Sequence, residues 1–111
     1  MLRTRLFLIA AALAAGAGPA HAATVRILMQ NLVIKPAVAT ASVGDTVEWI
    51  NDDWVDHTAT AGRGGFDVFV PAKQSTSIVL TRAGTVEYFS RFHPIMKGRL
   101  RIRPLGRGLA R

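Results

Sequence analysis

Two histidines and a methionine are the residues whose types and spacing could do chemistry here. His93 and Met96 stand three apart in the Pro-containing segment Phe92-His93-Pro94-Ile95-Met96, and His57 lies 36 residues upstream. Imidazole binds copper in both oxidation states, and a thioether sulfur favours Cu(I) over harder ions. Zinc fits this set less well, because its sites rarely use methionine. The alternative is that both histidines are surface or hydrogen-bonded residues with no metal. A lone methionine is more often a core or loop filler, and Met96 is singled out only by its place after His93. Met29 alternates with Val25 and Ile27 and is assigned to the core.

Other constellations carry less. Asp52, Asp53 and Asp56 could attract a hard ion, but acids clustered near a turn are commonly solvated. Gly62 to Gly65 reads as a flexible loop, with no strand-to-helix context for a phosphate cradle. No nucleophile–base pair and no paired-carboxylate signature is present, so the chain is not expected to be an enzyme. There is no cysteine, hence no disulfide and no thiolate ligand.

The elements that must position these residues are short. Val25 to Gln30 alternates apolar and polar residues, as does Thr46 to Ile50, with Val47 and Trp49 opposite Glu48. Ser75 to Thr81, Thr85 to Ser90 and Gly98 to Arg103 follow the same period, placing Ile78 with Leu80, Val86 with Tyr88, and Leu100 with Ile102. Pro36 marks a bend or an edge. Val43-Gly44-Asp45 and Arg82-Ala83-Gly84 are turn signals. Trp54, just before His57, is expected in a loop. Seven to eight short strands at this spacing predict an all-β antiparallel sandwich.

The chain of 111 residues carries 14 Lys+Arg against 7 Asp+Glu. Its first part, 1–22, reads as a secretory signal. Arg3 and Arg5 precede an apolar run from Leu6 to Ala15, and Ala20-His21-Ala22 has the cleavage pattern. That run is too short to cross a bilayer, which takes roughly 20 residues. Cleavage would remove His21, leave no transmembrane segment in the mature chain, and place it in the periplasm or outside. Residues 23–104 then form one domain and 105–111 a basic tail. From Lys97 onward Arg99, Arg101, Arg103, Arg107 and Arg111 occur without an acid. Such an end can meet an acidic partner or anionic lipid, although a solvated terminus is the simpler reading. An exported protein has little access to nucleic acid, so none is expected.

The mature chain resembles the small cupredoxins of the plastocyanin, amicyanin and pseudoazurin group. The resemblance rests on Ile27-x-Met29-x-Asn31-Leu32-x-Ile34-x-Pro36, on Val43-Gly44-Asp45-Thr46-Val47-Glu48-Trp49-Ile50-Asn51, on Asp56-His57-Thr58-Ala59-Thr60, and on Gly84-Thr85-Val86-Glu87-Tyr88 followed by His93-Pro94-Ile95-Met96-Lys97-Gly98. It implies a cupredoxin-like Greek-key β-sandwich. It implies that His57 and His93 match the family's two histidine ligands and Met96 its axial methionine. The family's cysteine ligand falls on Ser90, and Asn51 matches a residue that braces the ligand loop. A serine hydroxyl is a neutral, weak donor, so Ser90 is a weak ligand or none. Blue-copper colour depends on the thiolate and is expected to be absent. The reading is therefore a periplasmic copper-binding protein using His57, His93 and Met96 for Cu(I) or Cu(II), in carriage or buffering. Electron transfer at an altered site and a copper-free interaction module are the alternatives. The resemblance also implies that an unknown periplasmic partner docks at the apolar rim of Phe92, Pro94 and Ile95.

Overall fold

A computed structural model describes residues 22–105. The expected signal 1–22, apart from Ala22, and the tail, apart from Leu105, lie outside the described residues. Nine strands form: β1 (Thr24–Gln30), β2 (Val33–Lys35), β3 (Val38–Ser42), β4 (Thr46–Asn51), β5 (His57–Ala61), β6 (Asp67–Val70), β7 (Ser75–Val79), β8 (Gly84–Phe89) and β9 (Lys97–Arg103). They make two sheets, ordered β2-β1-β4-β7 and β3-β9-β8-β5-β6. No helix among the described residues is long and apolar enough to cross a membrane.

The predicted alternation sets what faces inward. In β4 Val47 and Trp49 are fully buried, and in β1 Ile27 and Met29 are. Leu100 and Ile102 of β9 and Tyr88 of β8 close the core from the second sheet. Met29 is thus a core residue, as its period required.

Two expectations are corrected. There are nine strands rather than seven to eight, because the segment around Pro36 yields two short strands in different sheets. Asn31 and Leu32 adopt positive φ in the two-residue turn between β1 and β2, and β3 then joins the other sheet. The sheets are also mixed rather than antiparallel, since β1 runs parallel to β4 and β3 parallel to β9. Alternation is the same in both pairings, so it does not distinguish them.

Asp45 secures the corner before β4. Its carboxylate accepts the amides of Ala23 and Ser42, each at 2.9 Å. Gly44 beside it has φ 98°, a conformation open to glycine.

Tyr88 packs edge-on against Trp49, with ring centroids 5.5 Å apart. Its hydroxyl and the Trp49 indole N–H are both buried without a hydrogen-bond partner. Burial pushes the phenol up to about 12, opposed weakly by the neighbouring Trp49. A raised acid is protonated in the folded state where the unfolded chain ionises. The associated stability is complete below pH 10 and is lost as pH rises through about 12. Tyr88 is the only tyrosine of the chain, so phenolate absorbance reports it alone. Its midpoint in folded protein is expected near pH 12; a midpoint at the ordinary value would show that water reaches the hydroxyl.

Candidate metal centre

His57 opens β5 and His93 lies in the loop from Ser90 to Met96 that joins β8 to β9. The two meet because β5 and β8 are antiparallel neighbours with Thr60 opposite Phe89. Extending that register by three residues sets His57 opposite Phe92, next to His93. The imidazole centroids are 5.2 Å apart with the rings nearly perpendicular, at 83°. His57 is fully buried, while His93 is partly exposed.

The loop is closed by its own backbone. The Ser90 amide donates to the Met96 carbonyl at 3.1 Å, the His93 amide to the Ser90 carbonyl at 3.2 Å, and the Met96 amide to the His93 carbonyl at 2.8 Å. Ser90, His93 and Met96 are thereby held in two successive turns of one closed loop. Met96 is buried to 1% exposure and Ser90 is fully buried.

A carboxylate orients His57. Asp53 Oδ2 lies 2.8 Å from His57 Nε2, and the Asp53 side chain is 13% exposed. The same carboxylate accepts the amides of Asn31 at 2.6 Å and Leu32 at 3.0 Å, tying the β1–β2 turn to His57. Burial works to raise the Asp53 carboxyl, but hydrogen bonds from His57, Leu32 and Asn31 outweigh it and hold it below the usual carboxylate range. An ionised carboxylate accepts only, so Nε2 carries a ring proton, and in the neutral imidazole the lone pair is on Nδ1.

That lone pair has no partner. His57 Nδ1 and His93 Nδ1 are both buried and make no hydrogen bond. Burying an imidazole nitrogen unpaired costs free energy, and here it occurs at the two predicted histidines. Two imidazole nitrogens, with a buried thioether in the loop that carries His93, suit a soft ion such as Cu(I). Among the described residues no group of three or more His, Cys, Asp and Glu converges. Asp52 instead contacts Gln30 and Lys73, and Asp56 accepts the Ala72 amide.

The bracing differs in detail from what the resemblance implied. Asn51 donates to the carbonyls of Val55 at 2.9 Å and Val70 at 3.0 Å, and accepts the Asp53 amide at 2.8 Å. It therefore fixes the turn leading into His57. Thr58 clamps the other loop: its amide donates to Ser90 Oγ at 3.2 Å, and its hydroxyl accepts the Arg91 amide at 2.7 Å. The sequence marks neither Asp53 as the partner of His57 nor Thr58 as the clamp on the Ser90 loop, because these bonds depend on how the loops meet.

The surface around His93 is apolar. Ile95 is 80% exposed and Phe92 48%, with Phe92 edge-on to Phe69. Trp54 is 83% exposed, as its loop position predicted, and carries the Lys73 ammonium over its ring.

No family model matches the chain. Over 67 residues it is 32% identical to the amicyanin of Paracoccus versutus, a match covering 55% of this chain and 51% of that protein. The chain thus spans about half the length of the curated relative it matches. Among solved structures, a proline-to-glycine variant of amicyanin in its reduced Cu(I) form at pH 4 aligns with a TM-score of 0.66 and 26% identity, over 78% of this chain and 88% of that one. A reduced proline-to-phenylalanine variant of amicyanin aligns at 0.63 and 28%, over 72% and 82%. The nine-stranded sandwich is a cupredoxin fold of the amicyanin kind.

Proposed function

We propose that this chain is a copper-binding protein of cupredoxin fold whose site has no thiolate, with His57, His93 and Met96 as ligands. The observation that carries the reading is the pair of buried, unpartnered Nδ1 atoms, one of them in the loop that also holds the buried Met96. Asp53 presents His57 in the tautomer that ligation requires. Ser90 occupies the position that the resemblance assigns to cysteine, and its Oγ already accepts the Thr58 amide. A neutral hydroxyl so engaged adds little to an ion's coordination.

Copper here is cargo rather than a fast redox relay. The thiolate that supports blue-copper electron exchange is missing, whereas two imidazoles and a thioether favour Cu(I). The likeness to amicyanins solved in reduced Cu(I) and oxidised states keeps electron transfer as the second reading. The signal-like segment 1–22 and domain 23–104 support export and a periplasmic location. The exposed Phe92, Pro94 and Ile95 beside His93 would receive the protein that takes or delivers the ion.

Titration of Cu(I) against a competing chelator tests the site. The chain is expected to bind, and His57→Ala or His93→Ala each to weaken binding by about a hundred-fold, since a ligand counts for more than the outer partners whose loss costs 10–100-fold. Affinity should fall on acidification, because both imidazoles must be neutral to bind. No binding at micromolar concentration, or no effect of either substitution, would remove copper from the assignment. A reversible copper couple with rapid exchange to a redox protein would favour electron transfer.

A further inference from the structure

The described part of the basic C-terminal run is not a frayed tail. Lys97, Arg99, Arg101 and Arg103 lie on β9, a strand bonded on both sides, to β8 and to β3. Leu100 and Ile102 face the core, so the four cations share the outer face at intervals of about 6.7 Å. Arg99 is paired with Glu87 through Nη2 and Oε2 at 2.6 Å. Arg101 has Thr85 and Thr40 as its cross-strand neighbours, and Arg103 has Ser42.

No Asp or Glu side chain is left to answer the other three. All seven Asp and Glu side chains lie among the described residues, and each is already engaged. Glu48, Asp52, Asp67 and Glu87 pair with Arg26, Lys73, Arg91 and Arg99. Asp53 holds His57, while Asp45 and Asp56 accept backbone amides. Lys97, Arg101 and Arg103 therefore form an exposed, uncompensated row on a rigid strand.

We infer that this row docks an acidic protein surface, one presenting carboxylates at the spacing of an extended strand. Arginine forks match carboxylates bidentately, and a fixed row of them steers an oppositely charged partner. A membrane fits less well. Val38 is the only large exposed apolar side chain on β3, β8 and β9, so nothing there inserts among lipid chains. Because β9 begins immediately after Met96, a partner held along the row reaches the edge of the metal-centre loop.

The test uses the metal-free chain, so its outcome is independent of copper binding. The probe is a fluorescent peptide alternating glutamate and serine, followed by anisotropy at low and moderate salt. Saturable, salt-sensitive binding is expected. The double change Arg101→Glu and Arg103→Glu should weaken it about ten-fold or more, and the milder Arg101→Gln with Arg103→Gln several-fold. Arg26→Glu with Lys35→Glu changes the net charge equally but lies on the other sheet, and should cost less than about two-fold. Equal loss in the two double reversals would reduce the effect to net charge and overturn the inference. So would absence of binding, or tighter binding of phosphatidylglycerol vesicles than of the peptide through the same arginines.

Discussion

Replacing Ser90 with cysteine is expected to turn the Cu(II)-loaded protein intensely blue and to tighten copper binding by about a hundred-fold. The colour follows from a short thiolate bond joining two imidazoles. The magnitude follows from four-ligand metal sites, whose total of about 10–16 kcal/mol averages roughly 3 kcal/mol per ligand, or two decades in affinity. The position is prepared for it. Ser90 is fully buried, its loop is closed by three backbone hydrogen bonds, and the Thr58 amide already points at its Oγ. A thiolate would accept that same amide. Optical titration of Ser90→Cys with Cu(II) beside the parent chain checks this. A colourless variant with unchanged affinity would mean that His57, His93 and residue 90 do not converge on one ion, and the proposed ligand set would fail with it.

The second large effect concerns the fold beneath the loop. A Cβ placed on Gly98 would lie 2.5 Å from Cζ and Oη of Tyr88 and 2.8 Å from its Cε1. Real Cβ contacts are not that short, and Tyr88 cannot withdraw. It is 2% exposed and packs against Trp49 and Phe66, with Trp49 itself fully buried. Gly98→Ala should therefore destabilise the domain by about 3 kcal/mol, the upper end of ordinary overpacking. For a domain of this size that lowers Tm by roughly 15 °C. Thermal unfolding by circular dichroism measures it. A Tm within a few degrees of the parent would show that Tyr88 has room to shift. Gly98 lies two residues after Met96, so the strain would also reach the metal-centre loop, and copper affinity should fall alongside stability.

Much of the fold was legible because burial has a period. Val47 and Trp49, Ile27 and Met29, Leu100 and Ile102 alternate with polar neighbours, and a half-buried strand requires just that. Pro36 was legible as a bend, since proline donates no amide to a ladder. The parallel pairings of β1 with β4 and β3 with β9 were not, because the inward and outward pattern of a strand is the same whichever direction its neighbour runs. The extra strand was hidden for a related reason: β2 has only three residues, too few to display a period.

The candidate centre divides in the same way. The ligand types, the three-residue spacing of His93 and Met96, and the serine at position 90 are properties of the sequence alone, and so is the soft character of the site they would make. The approach of His57 to His93 was decided by tertiary structure, because residues 36 apart become neighbours only through the β5–β8 register. The structure also decided that Asp53 contacts His57, that Thr58 clamps the Ser90 loop, and that both Nδ1 atoms are left buried without a partner. A hydrogen bond is a short-range, directional contact, and its existence depends on which loops the sheets bring together. Chemical type and period are local and can be read along the chain; proximity and an unsatisfied lone pair exist only after the chain has folded.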